Sequence, residues 1–498
     1  MPFLPSRQPQ LGILAALICA LCFQSGARAD NAAPPAPDKP WAPPQLSDYE
    51  QQLARETPAY FSNAAPVAIS PDQVYDLPAL VDIAERSHPQ TRVAWEQARQ
   101  AARTVGLAES AYYPYLAAEA GAEFNHTLNV LTTVFPSNER IADTMLDVQW
   151  LLFDFGGRKS ATLAAKEQLM MANVNFNATH QQIVFAVTKS FYDYNTARQK
   201  VAVEESSMAA ADTVRQATQA RFDNGLATKP DVLQAEQESA QAGYELEAAR
   251  GDLSDAQVAL AESMGILPTT PLRVAEVPLD ALTNINEESL DGLIDRSLAQ
   301  RPDLVAKLAK LRAAQDAVHQ ARAAYYPKIS VDANAGWMKL DINGYDSPYV
   351  QNSKPVYGVG VAVELPIFDG FLRANKLRAA QSELRAAEDD LTDSRDAAVR
   401  QVWKAYTDLK TALRKEESAD KLLAAAQSAF DASLESYRQG VGTYIDVANA
   451  QRNVTAAQSV VVDTHSAIYT ASTALALSVG DLAKPEESSS SSSSSSSP

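Results

Sequence analysis

The sequence predicts a mainly α-helical chain with a small membrane-embedded β portion, made of two copies of one unit. Three observations predict this. The same punctuation recurs 213 to 215 residues apart, two stretches of nearly 70 residues contain no proline, and strict two-residue alternation follows each Tyr-Tyr-Pro. Internal repeats set the frame for every later element. Pro89 in RSHPQTRVA matches Pro302 in LAQRPDLVA, and Pro114 in AYYPYL matches Pro327 in AYYPKI. Gly225 in RFDNGLATKPDVLQAE matches Gly440 in YRQGVGTYIDVANAQ, and SMG at 263–265 matches SVG at 478–480. The two units cover about residues 75–265 and 288–482, joined by a proline-containing linker at 266–287.

The flanks read differently. Arg7, the apolar run Leu11–Phe23 and the small residues up to Ala27-Arg28-Ala29 form a secretory signal peptide over 1–29. Thirteen apolar residues are too few to span a bilayer. Cys19 and Cys22 both lie in that segment, so the mature chain has no thiol for a disulfide or a metal site. Loss of Arg7 and Arg28 takes the formal charge from -18 to -20, which disfavours nucleic acid as a partner. Residues 30–74 are a proline-rich arm expected to be extended, and 483–498 is a serine-rich tail expected to be disordered. No later stretch reaches 18 apolar residues, so any membrane role falls to strands.

Within a unit, residues 79–111 are rich in Ala, Arg, Gln and Glu and predict a helix. Tyr-Tyr-Pro ends it, because proline removes a backbone donor. The period then changes to two. Ile329, Val331, Ala333, Ala335 and Trp337 alternate with polar or small residues, as do Tyr357, Val359, Val361, Val363 and Leu365. Strands are expected at about 114–126 and 143–153 in the first unit, and at 327–339 and 356–367 in the second. DINGYDSPYVQNSKP, between the latter two, reads as a loop. Residues 157–224 and 371–439 then predict helices about 100 Å long. Leu377, Leu384 and Leu391 recur by sevens, and a step of eleven leads to Val402 and Leu409, which describes long helices with little net supercoil. Each long helix turns at Gly225 or Gly440, where a left-handed residue is wanted. A shorter helix returns and should stop halfway, leaving the linker, arm and tail at mid-height.

Four strands cannot close a barrel, and open sheet edges are not tolerated in hydrocarbon. The barrel must be shared between chains: two would give eight strands with a filled interior, and three would give twelve around a channel. Nothing in the sequence points to an enzyme, a cofactor or a metal site. His88, His126, His180, His319 and His465 are scattered without metal-ligand spacing, GVGV at 358–361 lacks a phosphate-loop context, and there is no G-x-S-x-G elbow.

The duplicated unit, AYYP before each strand pair, and the tip motifs NGLATKPDVLQA and QGVGTYIDVANA together resemble the TolC family of outer membrane efflux proteins. The resemblance covers about residues 75–482. It implies a homotrimer with a twelve-strand β-barrel in outer membrane lipid and a twelve-helix tunnel in the periplasm of a Gram-negative bacterium. It also implies a passive exit duct that docks a periplasmic adaptor and serves an inner-membrane pump, in tripartite efflux or type I secretion. The alternatives are a periplasmic adaptor and a coiled-coil scaffold without a pore. Tyr113, Pro114, Tyr326 and Pro327 would then mark the helix–barrel junctions, and Gly225, Leu226, Gly440 and Val441 the adaptor-docking tips. Asp231 and Asp446 each begin a return helix, where the helix dipole alone favours a carboxylate. Three copies of Asp446 could also ring a pore constriction. The resemblance places a second Asp one turn later, where this chain has Asn449. It further implies a gate latch from Tyr437 to the first unit's tip, with Asp231 as acceptor. Gly442 stands where the family's latch Arg would be, and Pro230 where a hydrogen-bonding residue is usual.

Overall fold

The computed structural model describes residues 46–63, 69–128, 136–277, 289–344 and 347–482. The expected signal peptide, the serine-rich tail and the second half of the linker lie outside the described residues. The chain divides at Ala68. Before that point, α1 (Leu46–Asn63) is a helix in the arm that its prolines had suggested was extended. The correction has a local cause: residues 45–57 hold no proline and are rich in Gln, Glu and Leu.

The second body, from Ile69 onward, carries the duplicated unit. A two-residue strand β1 (Val74–Tyr75) leads into α2 (Leu77–Ser87) and α3 (Pro89–Ser110). The single helix expected over 79–111 is thus two. Pro89 occupies the first position of α3, where its missing N–H costs nothing, and His88 caps α3 by accepting from the Gln90 amide at 3.1 Å. Next come β2 (Tyr115–Leu128), β3 (Pro136–Phe153), the 67-residue α4 (Gly157–Asp223) and the returning α5 (Lys229–Met264). A strand β4 (Arg273–Val274) in the linker pairs in parallel with β1. The second unit repeats the order: α6 (Leu290–Gln300), α7 (Pro302–Ala323), β5 (Lys328–Gly344), β6 (Ser347–Glu364), α8 (Leu372–Arg438, again 67 residues) and α9 (Tyr444–Val479).

The return helices stop against the breaks between the shorter helices. Gly265 ends α5 with φ +68° and lies so close to His88 that a Cβ would meet its Cα at 2.8 Å. Ser87 Oγ donates to the Met264 carbonyl at 2.7 Å. In the second unit Gly480 (φ +88°) ends α9 beside Arg301, whose guanidinium donates to the Ser478 carbonyl at 3.2 Å. Alanine lines the packed face of α8: Leu391, Ala398, Ala405, Ala412 and Ala419 are buried at intervals of seven. Their small side chains let α7 and α9 approach closely.

The four long strands form one antiparallel sheet in the order β2-β3-β5-β6. Directly paired residues point to the same face, so the register tests the alternation. Val148 pairs with Leu116 and Ala333, and Ala333 with Val359. Trp150 pairs with Val331, and Val331 with Val361. The apolar positions of all four strands therefore share one face. On the other face run Tyr115, Gln149, Asp332 and Gly360 in one row, and Ala117, Asp147, Asn334 and Gly358 in the next. The apolar rows extend from Ile329 to Trp337, about 30 Å along the strand; at the roughly 40° tilt of barrel strands that is close to the ~25 Å apolar band of an outer-membrane barrel. Beyond it, Lys339 and Asp341 take the same face and pair at 3.6 Å.

The strands run further than the alternation suggested. β3 starts at Pro136 rather than near 143, β5 continues to Gly344, and most of the expected loop DINGYDSPYVQNSKP is strand. Above Trp337 the pattern of β5 changes phase, with Met338, Leu340 and Ile342 apolar on the opposite face and Lys339 and Asp341 polar on the first, while the backbone ladder continues. Gly336 lies on the face opposite the apolar rows, paired with Met145, and a Cβ there would lie 2.1 Å from the Thr144 carbonyl oxygen. Gly336→Ala must push β3 and β5 apart. It is expected to lower stability by about 1–3 kcal/mol, the usual range for overpacking, read as a lower melting temperature of the detergent-solubilised protein. Among the described residues no helix is long and apolar enough to cross a membrane.

Candidate functional site: the hairpin tips and helix–sheet junctions

Both tips are built by one duplicated device. At the end of α4, Gly225 adopts φ +72° and the Leu226 amide donates back to the Arg221 carbonyl at 2.8 Å. At the end of α8, Gly440 adopts φ +79° and the Val441 amide donates to the Ser436 carbonyl at 3.0 Å. These wrapped ends satisfy carbonyls that the helix leaves open. The turn presents one apolar side chain outward in each repeat, Leu226 and Val441, which are 69% and 81% exposed.

Asp231 and Asp446 close the return helices in capping boxes. Thr228 caps α5 and Thr443 caps α9; each hydroxyl accepts from the third-residue amide, and each carboxylate accepts from its threonine's amide and hydroxyl. The threonine side-chain bond, then its amide, hold both carboxylates below the usual range. Asp446 and Asn449 lie three residues apart on the exposed face of α9.

The partners of Tyr437 differ from those implied by the resemblance. Among the described residues it forms no hydrogen bond with Asp231. Its hydroxyl is 3.4 Å from Thr218 Oγ1, and its ring packs with Tyr444, Val447, Ala448 and Ala235. Arg221, in the last turn of α4, places its guanidinium 4.5 Å over the Tyr437 ring and donates to the Tyr437 carbonyl at 2.8 Å. Gly442 leaves the second unit without its arginine, and Arg221 supplies a cationic link from the first. A second link comes from Arg452 of α9, which donates to Glu238 of α5 at 2.8 Å and also holds Asn449 Oδ1. Sequence reasoning missed both arginines, since their partners lie more than 210 residues away.

At the other end of the long helices the sequence marks Tyr113, Pro114, Tyr326 and Pro327, and the structure adds a clasp beside them. FDFGGR (153–158) and FDGFLR (368–373) occupy equivalent places, and each puts two consecutive residues in the left-handed region: Phe155 and Gly156, then Gly370 and Phe371. Arg158 pairs with Asp154, donates to the Ala111, Leu151 and Leu152 carbonyls, and lies over the Tyr112 ring at 4.9 Å. Arg373 pairs with Asp369 at 2.7 Å and lies over Tyr325 at 5.2 Å. The first tyrosine of each Tyr-Tyr-Pro is thus an arginine platform. The second is free for another partner, and Tyr326 stacks on Phe155 with ring centroids 5.0 Å apart.

The sequence model of the outer membrane efflux protein family matches residues 80–266 and again residues 293–481. The chain belongs to this family. The double match reproduces the internal duplication. Protein CyaE of Bordetella pertussis is 30% identical over 436 residues, covering 86% of this chain and 90% of its own. The pyoverdine export outer membrane protein OpmQ of Pseudomonas aeruginosa is 27% identical over 66% of this chain and 67% of its own. The fold is that of the outer-membrane channel OprN, with TM-score 0.73 at 20% identity, over 81% of this chain and 90% of the channel.

One feature of this efflux family chain is a carboxylate cleft between α4, α5 and α9. Glu204, Glu238, Glu245 and Arg452 line a cavity of about 310 Å³ beside Tyr444. Burial, then the charge of Glu245, raise the Glu204 pKa, and Glu204 Oε2 is buried without a hydrogen-bond partner. Burial, then Glu238, push the Tyr444 hydroxyl up to about 12. A raised carboxyl pKa gives stability that is present below the unfolded value, near 4.3, and lost as pH rises through the folded one. Glu204→Gln is therefore expected to raise the melting temperature at pH 7, and the gain should vanish below about pH 4. Thermal melts of the two proteins at both pH values check it.

Proposed function

We propose that three copies of this chain form a passive outer-membrane duct, a twelve-strand barrel above a twelve-helix periplasmic tunnel in a Gram-negative bacterium. The observation that carries this reading is the apolar band on one face of a four-strand sheet, with β2 and β6 unpaired at its edges among the described residues. Such edges need strand partners in hydrocarbon. Three copies supply twelve strands, enough to enclose water. The opposite face, with Gln149, Asp332, Asp147 and Asn334, suits a wet lumen. About 100 Å away, Leu226 and Val441 meet a periplasmic adaptor that joins the duct to an inner-membrane pump, which supplies the energy. Asp446 and Asn449 face the axis there and form the constriction, and Arg221 and Tyr437 hold the hairpins together. The chain performs transport and no covalent chemistry.

The test combines native mass in detergent with conductance in planar bilayers. A trimer that conducts ions supports the duct. A mature protein found soluble in the periplasmic fraction as a monomer overturns it and favours the adaptor reading.

A further inference from the structure

The chain holds one complete junction between its two units and one half of a second. The complete junction is β3 against β5, with α4 packed on α7 below. The incomplete one has β6 and α8 on one flank and β2 and α3 on the other. Since the units are copies, the flanks of the second junction carry the counterparts of the first. Phe153 corresponds to Phe368, and Pro327 to Pro114.

From this internal symmetry we infer the register and the anchor of the contact between copies, which rests on the trimer reading above. Carrying the observed pair Leu146–Ala335 through the duplication gives Val361 opposite Ala122 of the next copy. The pair Val148–Ala333 gives Val363 opposite Ala120, and Thr144–Trp337 gives Val359 opposite Phe124. This register has a property that was not put in. It joins the apolar face of β6 to the apolar face of β2, so the band continues around the barrel. A slip of one residue would turn one strand's apolar set into the lumen.

The anchor follows from the same mapping. Within the chain Phe153, Phe155 and Tyr326 form a cluster, with Phe155 stacked on Tyr326 and edge-on to Phe153. Its counterparts are Phe368 and Phe371 on one flank and Tyr113 on the other. Phe368 and Phe371 already meet edge-on, at 5.6 Å. The complete cluster is 44–53% exposed, whereas Phe368, Phe371 and Tyr113 are 67–74% exposed. The free half is bare by the amount a ring partner would cover. Phe371 also sits at φ +67°, a left-handed backbone that non-glycine residues adopt at a cost. The first unit's turn puts glycine at this place, Gly156, and its ring one residue earlier, at Phe155. Retaining a side chain at Phe371 places an aromatic ring at the edge of the subunit. We assign Phe368 and Phe371 as the seat for Tyr113 of the neighbouring copy.

Cysteine pairs test the register, in a chain whose only cysteines, Cys19 and Cys22, lie in the expected signal peptide. Opposed residues have Cα atoms about 4.5–5.5 Å apart and can be bridged, while diagonal neighbours two residues away cannot. Val361→Cys with Ala122→Cys should oxidise to a ladder ending at a covalent trimer. Val361→Cys with Ala120→Cys, on the same face but one step off, should give at least tenfold less. If the native mass is a trimer but the offset pair links better, the inferred register is wrong and the duct reading stands. If no trimer forms even without cysteines, both fall. Phe371→Gly tests the anchor: relief of the left-handed strain alone would stabilise or leave the trimer unchanged, whereas loss of the ring should lower its dissociation temperature in SDS. An unchanged or higher temperature overturns the anchor.

Discussion

Val361→Arg is expected to abolish assembly in the outer membrane, while Gly360→Arg, one residue away, leaves a trimer with altered ion selectivity. The difference comes from the register. Val361 pairs with Val331, which pairs with Trp150, in the middle of the apolar band. Arginine near the midplane of a lipid-facing surface costs about 2–4 kcal/mol per site. Each trimer would carry three such sites, and the native state of a typical domain is only about 5–15 kcal/mol below the unfolded one. Gly360 belongs to the row of Asp332, Gln149 and Tyr115 on the opposite face. A Cβ at Gly360 would meet nothing closer than the Asp332 carbonyl oxygen, at 3.9 Å, so a side chain fits there. Its guanidinium would point into water and lie near Asp332. Membrane fractionation with native mass reads assembly, and reversal potentials in a salt gradient read selectivity; Gly360→Arg should weaken any preference for cations. Equal tolerance of the two substitutions would contradict the assignment of faces.

The parts of this fold that the sequence made legible are those written in repeated punctuation. Tyr-Tyr-Pro, the tip glycines and the period-two segments recur at a fixed offset, and each has a local physical meaning: a helix stop, a left-handed turn, a two-faced strand. What stayed hidden lacks a local signal. The break at His88 was missed because a proline at the first turn of a helix and one inside it look alike until the cap is known. The upper strand ends were missed because the alternation changes phase beyond Trp337, where Met338, Leu340 and Ile342 move the apolar side chains to the opposite face. The helix Leu46–Asn63 was missed because the prolines before it, and Pro58 within it, dominated the composition. At the tips, Gly442 departs from the residue that the resemblance implies, but the contact of Arg221 with Tyr437 could not be read. Arg221 and Tyr437 come together only because two hairpins 216 residues apart in sequence pack side by side. Tyr112 and Tyr325 were passed over for Tyr113 and Tyr326 because nothing in Tyr-Tyr-Pro says which ring the arginine that ends FDFGGR or FDGFLR will cover.

Arg221→Ala is expected to raise single-channel conductance several-fold, and Tyr437→Phe to change it little. The resemblance alone implied the reverse emphasis, with the Tyr437 hydroxyl as the latch. Among the described residues that hydroxyl meets Thr218 Oγ1 alone, at 3.4 Å, the outer edge of a hydrogen bond, and losing it costs well under ~1 kcal/mol. Arg221 does more. Its charge-assisted bond to the Tyr437 carbonyl, part-buried at 2.8 Å, is worth about 1.5–3 kcal/mol, and the guanidinium over the ring adds about 0.5–1 kcal/mol. Removing it frees the end of α8 from α4 in all three copies, so a closed tip shifts toward open by the product of three losses. Asp231→Ala instead removes the carboxylate of the α5 capping box, which accepts from the Thr228 amide and hydroxyl. It should leave conductance near the parent value while speeding amide exchange at Thr228, whose N–H loses its acceptor. Asp446→Ala removes no cross-hairpin contact and should alter cation preference through the charge of the proposed constriction. Planar-bilayer recordings of the four variants, at low and high salt, separate these roles, because the Arg221 contribution should weaken as salt screens it. If Tyr437→Phe opens the channel as much as Arg221→Ala, the arginine is not the latch, and the tyrosine hydroxyl has a partner across the subunit boundary.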